Sequence, residues 1–304
     1  MTSESVVWLA PPQHLPHGLE TLREAATRAD RHHTPGHRRL PQRDRREAAF
    51  DEYFAVARCP CAPAPLLVNA LDDALATVRA LSLHPDGSVT EPDLDLAAHA
   101  AGLIPRTDRS GPGRQATVRQ RWIQGHQLFF ALTQATVVAL RHALRAPSPA
   151  DSAHGLESAA HFLRASASAL RITASFGAQD YHDSVRPSMA PPQAPQGFSG
   201  LWSADHRVLV QSLREWGLAA PTRPSTLRPA HRRLVEVLTD VHHAHMGVCS
   251  RFVGSGPSLL RGAEPGVHVL DRLCQRRRST LDAAPAARPT RLPDTGDENL
   301  TLRH

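Results

Sequence analysis

PAHRRLVEVLTDVHHAHMGVCSRFV, residues 229–253, is the stretch on which the reading of the whole chain turns. Its apolar residues Leu234, Val237, Leu238, Val241, Val248 and Phe252 recur at steps of three and four, the spacing of an amphipathic helix with one buried stripe. His245 falls on that stripe, four residues after Val241, and Cys249 lies one helical turn further along the same face. A single histidine on such a face is more often a core residue satisfied by a backbone carbonyl. An imidazole stacked over a thiol is a different arrangement. The ring nitrogen can ligate haem iron, and a thiol one turn away can add to a haem vinyl group. The usual covalent attachment signature, C-x-x-C-H, is absent. His242 and His243 are expected on the solvated flank, although His242 shares a face with His245 at i, i+3.

The same pattern repeats outward along the chain. From about residue 115 to 144, Trp122, Phe129, Phe130, Val137 and Leu140 trace a second core face, and His126 sits within it, four residues after Trp122. A histidine among aromatics can act as acid or base near neutral pH, because modest environmental shifts move its charge change across that range. Ser203 or Asp205 can cap a third helix running to Trp216, with His206 at its start and a stripe through Leu209, Val210 and Leu213. Histidines on the apolar faces of three helices suit a cofactor held between helices. Further helices are expected over about 47–83, interrupted by Pro60, Pro63 and Pro65, and over about 93–102, 153–175 and 266–278. Turn clusters at 83–93 and 106–114 and a proline-rich loop over 185–200 separate them. No convincing β-alternation is visible. The expected fold is all-α, a helical bundle in a domain over 46–278, with an irregular arm over 1–45 and a disordered tail over 279–304.

Composition narrows the class. The 304 residues suffice for a sizeable core, 41% of them are hydrophobic, and no apolar run approaches the ~18 residues of a membrane span. The N-terminal segment carries no basic region before its short apolar stretch, so a cytoplasmic location is expected. The net charge is +6, yet all 35 basic residues are arginine, the mark of a compositional bias rather than of a nucleic-acid footprint. The clusters Arg38–Arg46 and Arg276–Arg278 read as solvated basic faces. Cys59-Pro60-Cys61 is too tight for an ordinary disulfide or zinc pair.

Three segments together resemble a known family. IQGHQLFFALTQ (123–134) is similar to the distal-histidine helix of tryptophan 2,3-dioxygenase and its relatives. VRPSMAPPQAPQGFSGL (185–201) resembles their Arg-Pro, proline-loop and Gly-Phe segment, and AHMGVCSRFVGS (244–255) resembles their proximal helix. The three occur in the family's order and cover roughly residues 110 to 270. The resemblance implies His245 as the iron ligand, His126 as the distal-pocket base, and Arg186 as the guanidinium that clamps a substrate carboxylate. It also implies a role for Arg251 beside the cofactor. The dioxygenases' Gly/Thr/Ser-rich loop after the proximal helix is replaced here by GSGPSLLRGAEPG (254–266). The HxxxC pair, with His206 lying 39 residues before His245, resembles instead the haem-dependent tyrosine and 3-methyltyrosine hydroxylases of antibiotic pathways.

That branch implies haem attached through Cys249 in c-type fashion, with His206 on the other side of the iron as a second ligand or as the acid/base for peroxide. It implies hydrogen peroxide as oxidant, L-tyrosine or 3-methyl-L-tyrosine as substrate, a catechol amino acid as product, and a homodimer or homotetramer. Neither membrane nor nucleic acid is an expected partner. Other readings remain open at this point: a haem dioxygenase that cleaves an indole ring with O2, a basic helical nucleic-acid-binding protein, or a non-haem metal site at His242, His243 and His245.

Overall fold

The computed structural model describes residues 5–28, 44–82, 91–103, 116–253 and 266–282. In chain order the elements are β1 (Val7–Leu9), α1 (Leu19–Thr27), α2 (Arg45–Tyr53), β2 (Val56–Arg58), α3 (Pro63–Ser82), α4 (Glu91–Ala100), α5 (Val118–Arg145) and α6 (Pro149–Thr173). Two single turns, α7 (Ala178–Asp180) and α8 (Arg186–Ser188), flank a π-helical turn at Tyr181–Val185. The long helices α9 (Ala204–Ala219), α10 (Arg228–Phe252) and α11 (Gly266–Asp282) follow. The fold is all-α, as the periodicity predicts, and none of the described helices is long and apolar enough to cross a membrane.

The centre of the bundle is the pair α5 and α6. The side chain of Thr117 accepts from the backbone of Gln120, and the Gln120 side chain accepts from the backbone of Thr117, so a reciprocal box starts α5. Ser148 and Pro149 start α6 in the same economical way, one as cap and one at the first helical position. The two helices approach closely because small residues face each other. A Cβ on Gly125 would lie 2.6 Å from Thr173 Cγ2, and one on Gly155 would lie 2.8 Å from the Ala143 backbone nitrogen. Both helices are buried on nearly all sides, and the hydroxyls of Thr133, Thr136 and Ser166 are satisfied by carbonyls one turn back. Burial of Leu128, Leu132, Leu156 and Phe162 in this seam supplies about 1.5–3 kcal/mol per side chain before entropy is counted.

Around this pair, α10 packs on α6, α9 packs on α5, and α11 closes across both α9 and α10. The closure needs Gly217, whose position leaves only 2.2 Å between a hypothetical Cβ and the Thr280 carbonyl oxygen. The result is a chamber walled by α5, α6, α9, α10 and α11.

Several sequence expectations are corrected here. Residues 5–28 are no irregular arm: Leu9, Leu15, Leu19 and Leu22 are core residues. Strand β1 pairs in parallel with β2, Val7 opposite Val56. Three-residue strands are too short to produce a legible alternation, which is why they were invisible as pattern. Cys59 and Cys61 are bridged by a disulfide despite their spacing, their Cα atoms lying 5.4 Å apart. That separation falls inside the range a disulfide requires. The left-handed backbone at Ala62 immediately follows the bridge. At the other end, α11 continues to Asp282, with Leu281 buried, so residues 279–282 are helix rather than tail. The expected proline-rich loop over 185–200 begins as the helical turn α8. The remainder of the expected tail, the turn clusters within 83–90 and 104–115, and the loop over 254–265 lie outside the described residues.

Candidate active site

A buried Arg58 sets the floor of the chamber. Its five N–H donors are all used: Nε and Nη2 to Asp51, Nη1 and Nη2 to Asp205, and Nη1 to the Ala10 carbonyl, at 2.7–3.2 Å. Gln134 of α5 donates to Ala10 O and to Asp205 at 2.7 and 2.8 Å. Burial works against the charge of Arg58, but the two carboxylates outweigh it and hold the guanidinium above its ordinary pKa. This network ties β1, α2, β2 and α5 to the first turn of α9. His206 is the residue after Asp205, so the network fixes where its imidazole begins. Ser203 caps the same turn by accepting from the His206 backbone N–H at 3.2 Å.

Above this floor lies a cavity of about 350 Å3. His126, Arg186, His206, His245 and Cys249 all line it, so five of the six site residues expected from sequence converge on one space. One end is a box of aromatic rings. Phe54 stacks on His126 at 4.5 Å between centroids, Trp122 lies 4.3 Å from the same ring, and Phe50 and Phe130 complete the wall. Tyr181 lies flat on Phe252 at 4.6 Å. Arg186 opens the turn that follows Tyr181 and is half-buried against the same space.

The protonation states are fixed by the partners. His126 Nδ1 lies 2.7 Å from the Trp122 carbonyl, which can only accept, so Nδ1 carries the hydrogen. Burial depresses the His126 pKa to about 4, opposed by that carbonyl and aided by His245. His126 is therefore neutral, with its Nε2 lone pair free. His206 is read the same way. Arg277 of α11 donates to His206 Nε2, so the ring hydrogen sits on Nδ1. Burial and the Arg277 charge lower its pKa to about 3.

His245 faces the cavity, where its surface is open to a small ligand, while protein surrounds the site. Burial first, and Arg277 second, lower its pKa to about 4, leaving the neutral imidazole that a metal ligand must be. Cys249, one turn on, is half-buried, and burial pushes its pKa up to about 11. It is a thiol, not a thiolate. An imidazole with a thiol one turn away, apolar walls from Leu209, Leu213, Leu238 and Val241, and guanidinium groups at the margins form a donor set that fits an iron porphyrin.

Four expectations change. Arg251 does not reach the cavity: its guanidinium lies over the Phe252 ring and donates to the Phe176 carbonyl at 2.9 Å, because its position on α10 points it away from α11. His242 is not on a solvated flank. It is 7% exposed, lines the cavity, and its Nε2 has no hydrogen-bond partner. The arrival of α11 over α10 buries it, which one helix's periodicity cannot show. Arg277, read as part of a solvated basic run, turns inward. Its signal was present in the spacing, since Leu270, Leu273, Arg277 and Leu281 fall at helical steps on one face. Trp122 and Tyr181 are further lining residues that sequence reasoning did not assign to the site. Among the described residues no group of three or more His, Cys, Asp or Glu side chains is placed to hold a bare metal ion, which removes the proposed His242–His243–His245 site. A wider concavity along α10, lined by Arg228, Glu236, Asp240 and Arg278, is an open polar groove without convergent groups.

A family model described as SfmD 3-methyl-L-tyrosine peroxygenase matches residues 4–242. The chain is 31% identical over 205 residues to the 3-methyl-L-tyrosine peroxygenase of Streptomyces lavendulae, a match covering 62% of this chain and 54% of that protein. The chain thus spans about half the length of the curated relative it matches. Among solved structures it is similar to reduced SfmD soaked with sodium hydrosulfite, with a TM-score of 0.52 and 22% identity over 78% of this chain and 97% of that one. That likeness shows the helical fold. His245, Cys249 and Arg277 lie beyond the stretch that the family model matches.

Proposed function

The chain belongs to the SfmD 3-methyl-L-tyrosine peroxygenase family, and from that premise we propose that it hydroxylates 3-methyl-L-tyrosine or L-tyrosine ortho to the phenol, using hydrogen peroxide and a haem held by His245. The overall change balances as an aromatic C–H and H2O2 giving an aromatic C–OH and water. The observation that carries the reading is the convergence of His126, Arg186, His206, His245 and Cys249 on one largely apolar cavity.

Bound haem supplies the redox chemistry, activation of peroxide and insertion of one oxygen atom into the ring. The protein supplies position and protons. His245 offers a neutral imidazole lone pair. Cys249, held as a thiol by burial, would be the residue that attaches the haem, its S–H adding across a vinyl group with sulfur on one vinyl carbon and hydrogen on the other.

The aromatic box of Phe50, Phe54, Trp122 and Phe130 takes the substrate ring. His126 Nε2, its hydrogen held on the opposite nitrogen by the Trp122 carbonyl, accepts the phenol O–H and can take its proton as the ring gains oxygen. Arg186 pairs with the amino-acid carboxylate. His206 would exchange protons with peroxide or ligate iron, and either role would require Arg277 to leave its Nε2.

The test is product analysis of the haem-loaded protein with peroxide and each amino acid. A catechol carrying one added oxygen is the expected product. A product with an opened ring and two added oxygens, formed from an indole with O2, would replace this reading by a dioxygenase. Intact-protein mass spectrometry of wild type and Cys249→Ala decides the thioether separately: wild type should retain one haem after acid–acetone extraction and the variant none.

A further inference from the structure

Arg277 is the feature of the chamber that the mechanism leaves without a use. It lines the cavity, and among the described residues its hydrogen-bonded partner is His206 and no carboxylate pairs with it. A guanidinium carries five donors in a rigid fork matched to a carboxylate, so one neutral imidazole leaves most of the fork unused. A cation moved out of water into apolar surroundings is costly unless paired. Beside it is a second unsatisfied group, the Nε2 of His242, 93% removed from solvent and without a hydrogen-bond partner. Around both lie Leu270 and Leu273 of α11 and Val241 of α10, which give a ligand's body apolar contact.

We propose that Arg277 and His242 form a carboxylate-binding subsite for the ligand that fills the chamber, with Arg277 exchanging His206 for that carboxylate when the ligand enters. This rests on the haem reading above, because the carboxylates that could reach this end of the cavity are a haem propionate or the amino-acid carboxylate, which Arg277 would then share with Arg186. One consequence follows from the exchange: release of His206 Nε2 is coupled to ligand entry.

The experiment titrates apo-protein with iron protoporphyrin IX and with its dimethyl ester, reading the Soret band and tryptophan quenching rather than turnover. Wild type should bind the free acid more tightly than the ester by ~10-fold to ~100-fold, the size of one charge-assisted pair. Arg277→Met should abolish that preference, and Arg277→Lys should keep part of it. If the free acid and the ester bind wild type equally, binding of 3-methyl-L-tyrosine to the haem-loaded protein is compared in wild type and Arg277→Met. A weakened amino acid assigns the carboxylate to the substrate, and an unchanged one overturns the subsite. The wild-type comparison of acid with ester needs no variant, so a failure of Arg277→Met to fold does not blunt it. Wild type that binds neither porphyrin refutes the haem reading, and the subsite with it. Binding of both porphyrins with equal affinity and an unaffected amino acid refutes the subsite alone.

Discussion

Replacing Arg58 with methionine should remove about 4 kcal/mol of stability, because it leaves two carboxylates buried without their cation. The side chains involved are 2%, 5% and 0% exposed for Arg58, Asp51 and Asp205, so water cannot take over the five lost hydrogen bonds. Gln134 still donates to Asp205, which is why the loss is placed within, rather than above, the range of about 3–5 kcal/mol for breaking one buried pair. For a chain of this size each kcal/mol moves the thermal midpoint by about 2–4 °C, so a fall of about 8–16 °C is expected by circular dichroism or calorimetry. Methionine preserves much of the volume, so the loss measures charge rather than cavity. A triple variant, Arg58→Met with Asp51→Leu and Asp205→Leu, should recover most of the midpoint, since exchanging a whole buried ionic cluster for apolar groups is often neutral. A midpoint for Arg58→Met within about 2 °C of wild type would refute the argument. So would a triple variant as unstable as the single one, because the cost would then lie in packing. The functional consequence is local to α9: with Asp205 released, His206 should lose its fixed position, visible as a changed Soret maximum of the haem-loaded protein.

Further outcomes are expected elsewhere in the chamber. Arg186→Ala should raise the apparent KM for the amino acid by ~10-fold to ~100-fold with a smaller change in kcat, as removal of one charge-assisted carboxylate pair requires; steady-state kinetics with an unchanged KM would take Arg186 out of the site. The His126 pKa is lowered from 6.5 to about 4, so the neutral form persists until the pH falls to about 4. Activity that depends on its Nε2 lone pair should therefore fall on an acid limb near pH 4 rather than near 6.5, and His126→Gln should lose that limb. The same shift has a stability consequence of fixed sign. The unfolded chain takes up a proton at His126 below pH 6.5 while the folded one does not, so up to about 3 kcal/mol present above 6.5 is lost as pH falls through about 4; urea melts of wild type and His126→Phe across that window check it. Gly217→Ala places a Cβ against the Thr280 carbonyl and should push α11 from α9 at a cost of about 1–3 kcal/mol, with faster haem loss measured by transfer to an acceptor protein.

How much of the site was legible depends on whether one helix sufficed to reveal it. The helical repeat through Leu234, Leu238 and Val241 placed His245 and Cys249 on one face without any partner helix. His126 was equally plain beside Trp122 on α5. Arg251 misled because the segment resemblance fixes the order of residues but not the direction in which a side chain leaves the helix. His242 lies near the border of an apolar stripe, and only the landing of α11 on α10 decides that the border is inside, whereas Arg277 stands on the apolar face of α11 and its inward turn is legible in the spacing.

Local sequence pattern specifies the all-helical architecture, the extents of α5, α6, α9 and α10 to within a few residues, and the imidazole–thiol pair on α10. These follow from short-range physics, since capping, propensity and a 3.6-residue repeat act over a few turns of chain. Tertiary structure alone decided that His126, Arg186, His206, His245 and Cys249 face one cavity, that Arg58 binds Asp51 and Asp205 beneath it, and that Arg277 turns toward His206. Those pairings join residues up to 147 positions apart. Their energies come from desolvating charges together, a quantity that exists only once distant segments have packed.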